Sequence, residues 1–348
     1  MHDRRIQDVD GIPPRPSGFD GFFIVIAFDE LCRCGSGGVV WGLTGGFGIG
    51  LPPIAHAPEV SPTLRQEVVG GCLLGEKRIA LAVSEPGAGS DVANISTSAI
   101  EEGDFYIVNG LKKWITCGMF ADYYSTAVRT GGEGSGMMGV SLLLIERSRK
   151  GVSTRAMNCM GAKGSGTAYV EFDNVKVPKS NLIGDVTVLL RNFVTERIGI
   201  ALQANRFARV CLTESISYAK RRKTFGKTMV RHPVVRYKLA TMMRHVEVTQ
   251  SYIESLIYRL AILESNNDDW FNQLLNAGAE AALCKVQASK TFELCAREAA
   301  HMHGGNSYVQ DGNRVESLYR DVLSLAIPGG AEDIMVDSAA RQSLLGKL

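Results

Sequence analysis

The chain has 348 residues, 45% of them hydrophobic and 21% charged, enough to bury a large core in two or three subdomains. A formal net charge of +2, with no basic tract interleaved with aromatics, argues against nucleic acid as a partner. The eight cysteines are scattered, and Cys32-x-Cys34 is too close for a zinc knuckle and has no second pair, so they read as reduced, buried thiols of an intracellular protein.

Residues 1–21 read as a flexible lead whose prolines and mixed charges make no cleavable signal peptide. Phe22–Cys34 is predicted as a mostly buried helix. Its apolar part, Phe22–Phe28, stops at Asp29 and Glu30, too short to span a bilayer. Gly35-Ser36-Gly37-Gly38 interrupts it, and Val39–Gly50 is apolar and glycine-rich. The run Thr44-Gly45-Gly46-Phe47-Gly48-Ile49-Gly50 has the wrong glycine spacing for a dinucleotide loop, and no βαβ unit follows. Ser61-Pro62 then opens another helix, with Ser61 as N-cap and Pro62 in the first helical position.

From about Arg78 to Asp185 the period becomes that of strands, as in Tyr123–Arg129, Gly139–Glu146 and Thr167–Phe172, with glycine-rich connections such as Gly131–Gly136. At Leu81–Val92 an apolar run ends in Ser84-Glu85-Pro86-Gly87-Ala88-Gly89-Ser90-Asp91. Pro86 fixes φ, and Gly87 and Gly89 permit close approaches, so the turn can lay bare N–H groups against a flat or anionic ligand. A plain tight turn has the same composition. Tyr106–Lys113 reads as two strand-like runs joined at Asn109-Gly110, a hairpin signal, and leads into Trp114-Ile115-Thr116. After Ile183-Gly184-Asp185 the chain is helical to its end. Leu239, Met243, Val246, Ile253, Ile257 and Leu260 recur at near-heptad steps, the seam of a bundle helix. A break at Ser265–Asp269 separates that helix from Trp270–His303; with Asp185–Lys220 and the last helix these make a four-helix bundle.

The Glu85–Asp91 turn and Trp114-Ile115-Thr116, with Met160–Thr167 and Asp173–Pro178, resemble the acyl-CoA dehydrogenase family of flavoproteins from about Phe22 to the C-terminus. The resemblance implies an α+β fold in three regions: a shortened N-terminal helical region at 1–77, a middle β-barrel or sandwich at 78–184, and a C-terminal four-helix bundle at 185–348. The family usually has a longer helical domain first, so either this chain is shortened or its pocket is open on that side. The cofactor implied is FAD. Ser84, Trp114, Ile115 and Thr116 would contact its isoalloxazine, and Gly89 and Ser90 would lie near its phosphates or a substrate thioester. Arg222, Thr224 and Phe225 in Arg222–Lys227 would reach the FAD of a neighbouring subunit, as would His301, Gly304 and Gly305; alone, Arg222–Lys227 also suits a solvated helix end. This chain has His301 and Pro233 where the family favours glutamine, and Ala331 and Asp333 where threonine and glutamine often touch the cofactor. His301 and His303 are two apart on a helix and cannot chelate one metal well, so no metal is expected.

Dehydrogenation α,β to a thioester needs a carboxylate to take the α-proton, poised by burial. The loop Ile327-Pro328-Gly329-Gly330-Ala331-Glu332-Asp333 has glycine at 329, where many family members carry that glutamate. The resemblance to branches that place the base on an earlier helix points to Glu196, beside Arg197. Glu332 and Asp333 compete, and a surface glutamate would look the same. The Gly329 backbone N–H, with Gly330, would bind the thioester carbonyl. The expected protein is an FAD-dependent oxidoreductase acting on an acyl-CoA or acyl thioester as a homo-dimer or homo-tetramer. It would lie in the cytoplasm, with mitochondrion or peroxisome as alternatives, and Gly346-Lys347-Leu348 reads as a chance ending rather than an address. The rivals are altered chemistry on a non-CoA substrate and a non-catalytic homologue without FAD.

Overall fold

The computed structural model describes residues 9–13, 16, 18–132, 134–266, 273–310 and 312–345, and the chain divides into two compact units. The first comprises the start of the chain to Phe19, Val39–Cys159 and Lys163–Glu196; the second comprises Asp20–Gly38, Met160–Ala162 and Arg197–Leu348.

The first unit is built on one mixed sheet of eight strands: β1 (Ile79–Ala82), β2 (Ser98–Glu102), β3 (Phe105–Ile115), β4 (Tyr123–Arg129), β5 (Val140–Glu146), β6 (Val152–Ala156), β7 (Ala168–Pro178) and β8 (Leu182–Asp185). The order is β6-β7-β3-β2-β4-β5-β8, with β1 parallel to β4. The two-residue period sorts its side chains into two cores. Ala80, Ala82, Tyr124, Val128, Leu143 and Ile145 join Val108 and Phe172 in a core enclosed by the strands. Their sequence neighbours Ile79, Leu81, Tyr123, Ala127, Leu142 and Leu144 pack with the N-terminal helical residues Ile54, Val68 and Val69.

Those N-terminal residues form short helices. α1 (Gly21–Cys32), in the second unit, is N-capped by Asp20, whose side chain accepts from the Phe22 amide. Only Val25 and Cys32 of α1 are buried, and Phe23 and Ile26 are exposed, so the expectation of a mostly buried helix is corrected. An apolar run all round a helix does not say how many of its faces are covered. α2 (Gly37–Gly45) continues into a π-helical stretch, Gly46–Gly50, and then α3 (Pro52–His56). The glycines of that run serve close packing: a Cβ on Gly46 would lie 2.4 Å from Ile79 O, and one on Gly50 3.0 Å from the Ala80 carbonyl carbon. By length and composition alone, Gly37–His56 (20 residues, hydropathy 1.2) could cross a membrane, and 39% of it is buried in the structure. α4 (Pro62–Arg65) starts as expected, with Ser61 Oγ accepting from the Leu64 amide, and α5 (Gly71–Leu73) follows.

A second correction concerns Asn109-Gly110. β3 does not turn there; it runs unbroken from Phe105 to Ile115 between β2 and β7. The irregularity lies across the ladder, where Asp173 and Asn174 of β7 together face Asn109. Asn109 Oδ1 accepts from the Asn174 amide at 2.8 Å, with Asn174 at φ +50°. Gly110 is small because β2 comes close: a Cβ there would sit 2.7 Å from Thr97 Cα.

α6 (Val186–Arg221) begins in the first unit and ends in the second. It is followed by a two-stranded hairpin, β9 (Lys223–Thr224) and β10 (Lys227–Thr228), and by α7 (Pro233–Asn266), α8 (Gly278–His303), α9 (Arg314–Ala326) and α10 (Glu332–Leu345). Among the described residues this region carries the five helices α6–α10. The described part of the expected Trp270–His303 helix begins at Gly278, after a 3-10 turn at Leu274–Ala277; Trp270 itself, like the break at 267–269, lies outside the described residues. On α7, Leu239, Val246, Ile253 and Ile257 are buried as expected. Met242 is buried instead of Met243, which is exposed.

Candidate functional site

In the first unit the site is the turn that leaves β1. The Glu85 amide donates to Ala88 O (2.8 Å) and the Ala88 amide to Glu85 O (3.2 Å), which closes a tight turn over Pro86 and Gly87. A Cβ built on Gly87 or Gly89 would meet nothing within 4 Å, so both expose bare backbone, and Ser90 is exposed beside them. The turn is fixed from beneath. The buried Glu85 carboxylate accepts from the Ser96 amide (2.6 Å), Ser96 Oγ (2.7 Å), the Thr97 amide (2.9 Å) and Lys112 Nζ (2.8 Å). Lys112, wholly buried, also donates to Val83 O at 2.9 Å, and the Lys113 amide donates to Ser84 O at 2.9 Å. Burial alone would raise the Glu85 carboxyl. The Lys112 charge and the hydrogen bonds from Lys112, Thr97 and Ser96 outweigh it and bring the pKa down to about 2. Burial lowers Lys112 to about 8, partly opposed by Glu85.

β3 delivers the next residues. Lys113 and Trp114 together face Tyr169 of β7, a bulge that places Trp114 at φ +63° and leaves it 47% exposed under Lys113 Nζ, 4.3 Å from its ring. The bulge also sends the Ile115 side chain into the enclosed core, so Ile115 has only its backbone to offer a ligand, whereas Thr116 is half-buried.

In the second unit, α6 ends in the β9–β10 hairpin. Phe225 (φ +49°) and Gly226 (φ +75°) are its two corner residues, Phe225 is 95% exposed and Arg222 is exposed. Thr224 Oγ1 lies 3.1 Å from His232 Nε2. At the end of α8, Gly304 (φ +60°) and Gly305 have open space where side chains would be. His301 is exposed, with Nδ1 3.0 Å from Lys238 Nζ, and Lys238 also pairs with Glu298 at 2.6 Å. His303 faces the other way, buried and stacked on Tyr218 at 4.3 Å. Among the described residues no group of His, Cys, Asp and Glu could hold a metal ion.

The loop between α9 and α10 carries Gly329 (φ +68°) and Gly330 (φ +101°). Arg197 Nε donates to Gly329 O at 3.0 Å, and the buried Lys285 donates to Ala326 O (2.5 Å) and Gly330 O (3.0 Å). Glu332, first residue of α10, is held by Ser289 Oγ (2.5 Å) and Lys290 Nζ (2.6 Å), while Ala331 is half-buried and Asp333 exposed. Glu196 is half-buried on α6, next to Arg197. Lys112 and Lys285 were not singled out from the sequence.

A chain with bare-backbone glycines, a presented tryptophan and an exposed arginine–phenylalanine corner offers what a flavin dinucleotide needs: an apolar wall, free N–H donors and positive charge. Comparison with known proteins identifies the family. Residues 80–175 match the family model for the acyl-CoA dehydrogenase middle domain, and residues 186–344 the model for the acyl-CoA dehydrogenase C-terminal domain. The chain is 38% identical over 346 residues to the acyl-CoA dehydrogenase apdG of Emericella nidulans, covering 97% of this chain and 76% of that one. It is 39% identical over 349 residues to the acyl-CoA dehydrogenase AFT10-1 of Alternaria alternata, covering 98% and 78%. Among solved structures, an acyl-CoA dehydrogenase from Geobacillus kaustophilus superposes with a TM-score of 0.83 at 30% identity, covering 94% of this chain and 84% of that one.

Proposed function

The chain belongs to the acyl-CoA dehydrogenase family of oxidoreductases acting on CH–CH bonds, and from that premise we propose that it binds FAD and forms an α,β double bond in an acyl thioester. The observation that carries this reading is the bare turn Ser84–Ser90, locked to β3 by the buried Glu85–Lys112 pair and followed by the exposed Trp114. Ser84, Gly89, Ser90, Trp114, Thr116 and the Ile115 backbone would hold the flavin. Arg222 would supply charge to the pyrophosphate and Phe225 an apolar surface to the adenosine, with Thr224, His301, Gly304, Gly305, Ala331 and Asp333 completing the cofactor set. Bound there, FAD supplies the acceptor for the β-hydride.

The chain's own groups handle the proton and the developing charge. Glu196 takes the α-proton, and half-burial on α6 suits a carboxylate that must change charge. Arg197 holds the Gly329 carbonyl, and the Gly329–Gly330 backbone binds the thioester carbonyl. The exposed Phe225 and the open glycines 304 and 305 are the surfaces a second copy would use to complete the cofactor site, in a homo-dimer or homo-tetramer. The regions 1–77, 78–184 and 185–348 are carried in this proposal as the helical, β and bundle parts of the enzyme. A second reading, altered chemistry on a non-CoA substrate, is favoured by the absence of a side chain at Gly329.

The test is a visible spectrum after reconstitution with excess FAD, then anaerobic titration with a panel of acyl-CoAs. A protein that stays colourless overturns FAD binding. A yellow protein that no acyl-CoA bleaches overturns the dehydrogenation and leaves the second reading.

A further inference from the structure

The last carbonyl of α9 and two carbonyls of the loop after it are turned onto two basic side chains. Lys285 Nζ donates to Ala326 O and Gly330 O, at 2.5 and 3.0 Å, and Arg197 Nε donates to Gly329 O at 3.0 Å. Lys285 is fully buried on α8, in helical phase with Ala281, Ala288 and Phe292 of that helix's buried stripe. An ammonium has three donors and no acceptor, and its burial is unfavourable unless oxygens receive those donors. A methionine of similar length would fill the same space without that penalty.

The loop has no side chain with which to act. Gly329 and Gly330 both have positive φ, and a Cβ on Gly330 would lie 2.3 Å from Met335 Cε. What the loop can offer a substrate is therefore backbone. Among the described residues no peptide bond is cis, and in a trans peptide plane a carbonyl and the following N–H point in opposite directions. With Gly329 O on Arg197, the Gly330 N–H is directed away from that guanidinium. Arg197 fixes one carbonyl of this glycine pair, and glycine's conformational freedom would still let the plane rotate. Lys285 holds the carbonyls on both sides of it, at Ala326 and Gly330.

We propose that Lys285 is a positioning residue for the reaction: it brackets the Gly329–Gly330 peptide so that the Gly330 N–H is held as a donor to the thioester carbonyl while that oxygen gains negative charge. The proposal rests on the thioester substrate of the proposed function. A backbone donor stabilises a developing oxyanion only when it is already oriented before the charge appears. In a loop of two glycines that orientation has to come from outside the loop.

The probe is acetoacetyl-CoA, an enolisable thioester whose β-carbon is already oxidised, titrated into FAD-reconstituted protein across pH. The readout is the long-wavelength charge-transfer absorbance of its bound enolate on the flavin. Lys285→Met is expected to raise the apparent pKa of the bound ligand by about one unit, a tenfold loss of enolate stabilisation, with FAD content unchanged and kcat reduced more than KM. Lys285→Gln keeps a donor to the loop and is expected to fall between parent and methionine variant; it carries the test should the methionine variant fail to fold. A folded variant with full FAD and the parent's enolate pKa overturns the role of Lys285 alone. A parent protein that gives no enolate band at any pH overturns the thioester reading and this inference with it.

Discussion

Lys112 Nζ lies 2.8 Å from Glu85 Oε1, and both side chains are closed off from solvent. The pair ties the turn after β1 to the strand that presents Trp114, so it acts on the geometry of the proposed flavin surface from beneath. Removing one partner of such a pair strands the other charge in the interior, whereas removing both is tolerated better. Lys112→Met is therefore expected to destabilise the protein by ~3–5 kcal/mol. The double variant Glu85→Gln with Lys112→Met should recover part of that loss. Denaturant midpoints of the two variants check this, and a double variant less stable than Lys112→Met would contradict it.

The same pair sets an acid limit. The Glu85 carboxyl falls from 4.5 to about 2 in the folded protein. A group whose folded pKa is depressed stabilises the fold fully above its unfolded value, and that contribution is lost as pH falls towards the folded value. For Glu85 the window is pH 4.5 down to about 2, and the contribution is on the order of 3 kcal/mol. Unfolding free energy measured across that window should fall less steeply in Glu85→Gln than in the parent. Equal slopes would show that Glu85 does not carry the effect.

Two glycines should separate fold from function. Gly110→Ala forces a Cβ to within 2.7 Å of Thr97 Cα, where backbone must move, and overpacking of this kind costs about 1–3 kcal/mol. Gly87→Ala meets nothing within 4 Å, so its thermal midpoint without cofactor should match the parent while FAD is retained less well. A Gly87→Ala protein that keeps FAD as tightly as the parent would remove this turn from the cofactor site.

The pattern of residues made much of this legible. β1, β4 and β5 are short runs buried nearly throughout, as their apolar residues announce, and Ser61-Pro62 caps its helix as its chemistry dictates. What misled was Asn109-Gly110, where the same two residues that form hairpin corners serve a bulge across the ladder and a close approach of β2. On α7, Met242 and Met243 are chemically identical, and helical phase alone separates the buried one from the exposed one. The two buried lysines were readable in principle. Lys112 shares strand parity with the buried Tyr106 and Val108, and Lys285 shares helical phase with Ala281 and Phe292. Their oxygen partners, Val83 with Glu85 and Ala326 with Gly330, come from elsewhere in the chain, and only folding brings them together.

Arg222 is exposed at the start of the β9–β10 hairpin, where its loss should leave the fold intact. A charge-assisted hydrogen bond to phosphate is worth roughly 1.5–3 kcal/mol. Arg222→Ala is accordingly expected to weaken FAD binding by about 10–100-fold, as read by flavin fluorescence on dilution, with the thermal midpoint without cofactor unchanged. Unaltered FAD retention would place the pyrophosphate elsewhere.

Three carboxylates compete for the proposed role of catalytic base. Glu332 is already engaged, accepting from Ser289 Oγ and pairing with Lys290. Asp333 is exposed at the start of α10. Glu196 is half-buried beside Arg197, whose guanidinium holds one carbonyl of the loop that would offer its backbone N–H to the substrate. Glutamine is the informative substitute because it keeps the size and polarity of glutamate but cannot accept the proton. Glu196→Gln is expected to slow flavin reduction by about 10²–10⁴-fold, with FAD content and ligand affinity nearly unchanged because ground-state contacts survive. Glu332→Gln should lose its ion pair to Lys290 and some stability while reducing flavin at the parent's rate, and Asp333→Asn should do so at full stability. Stopped-flow bleaching by an acyl-CoA substrate distinguishes the three. If Glu332→Gln or Asp333→Asn is slow while Glu196→Gln is fast, the base sits on α10. If all three are fast, proton abstraction uses none of these carboxylates and the altered-chemistry reading takes the place of dehydrogenation.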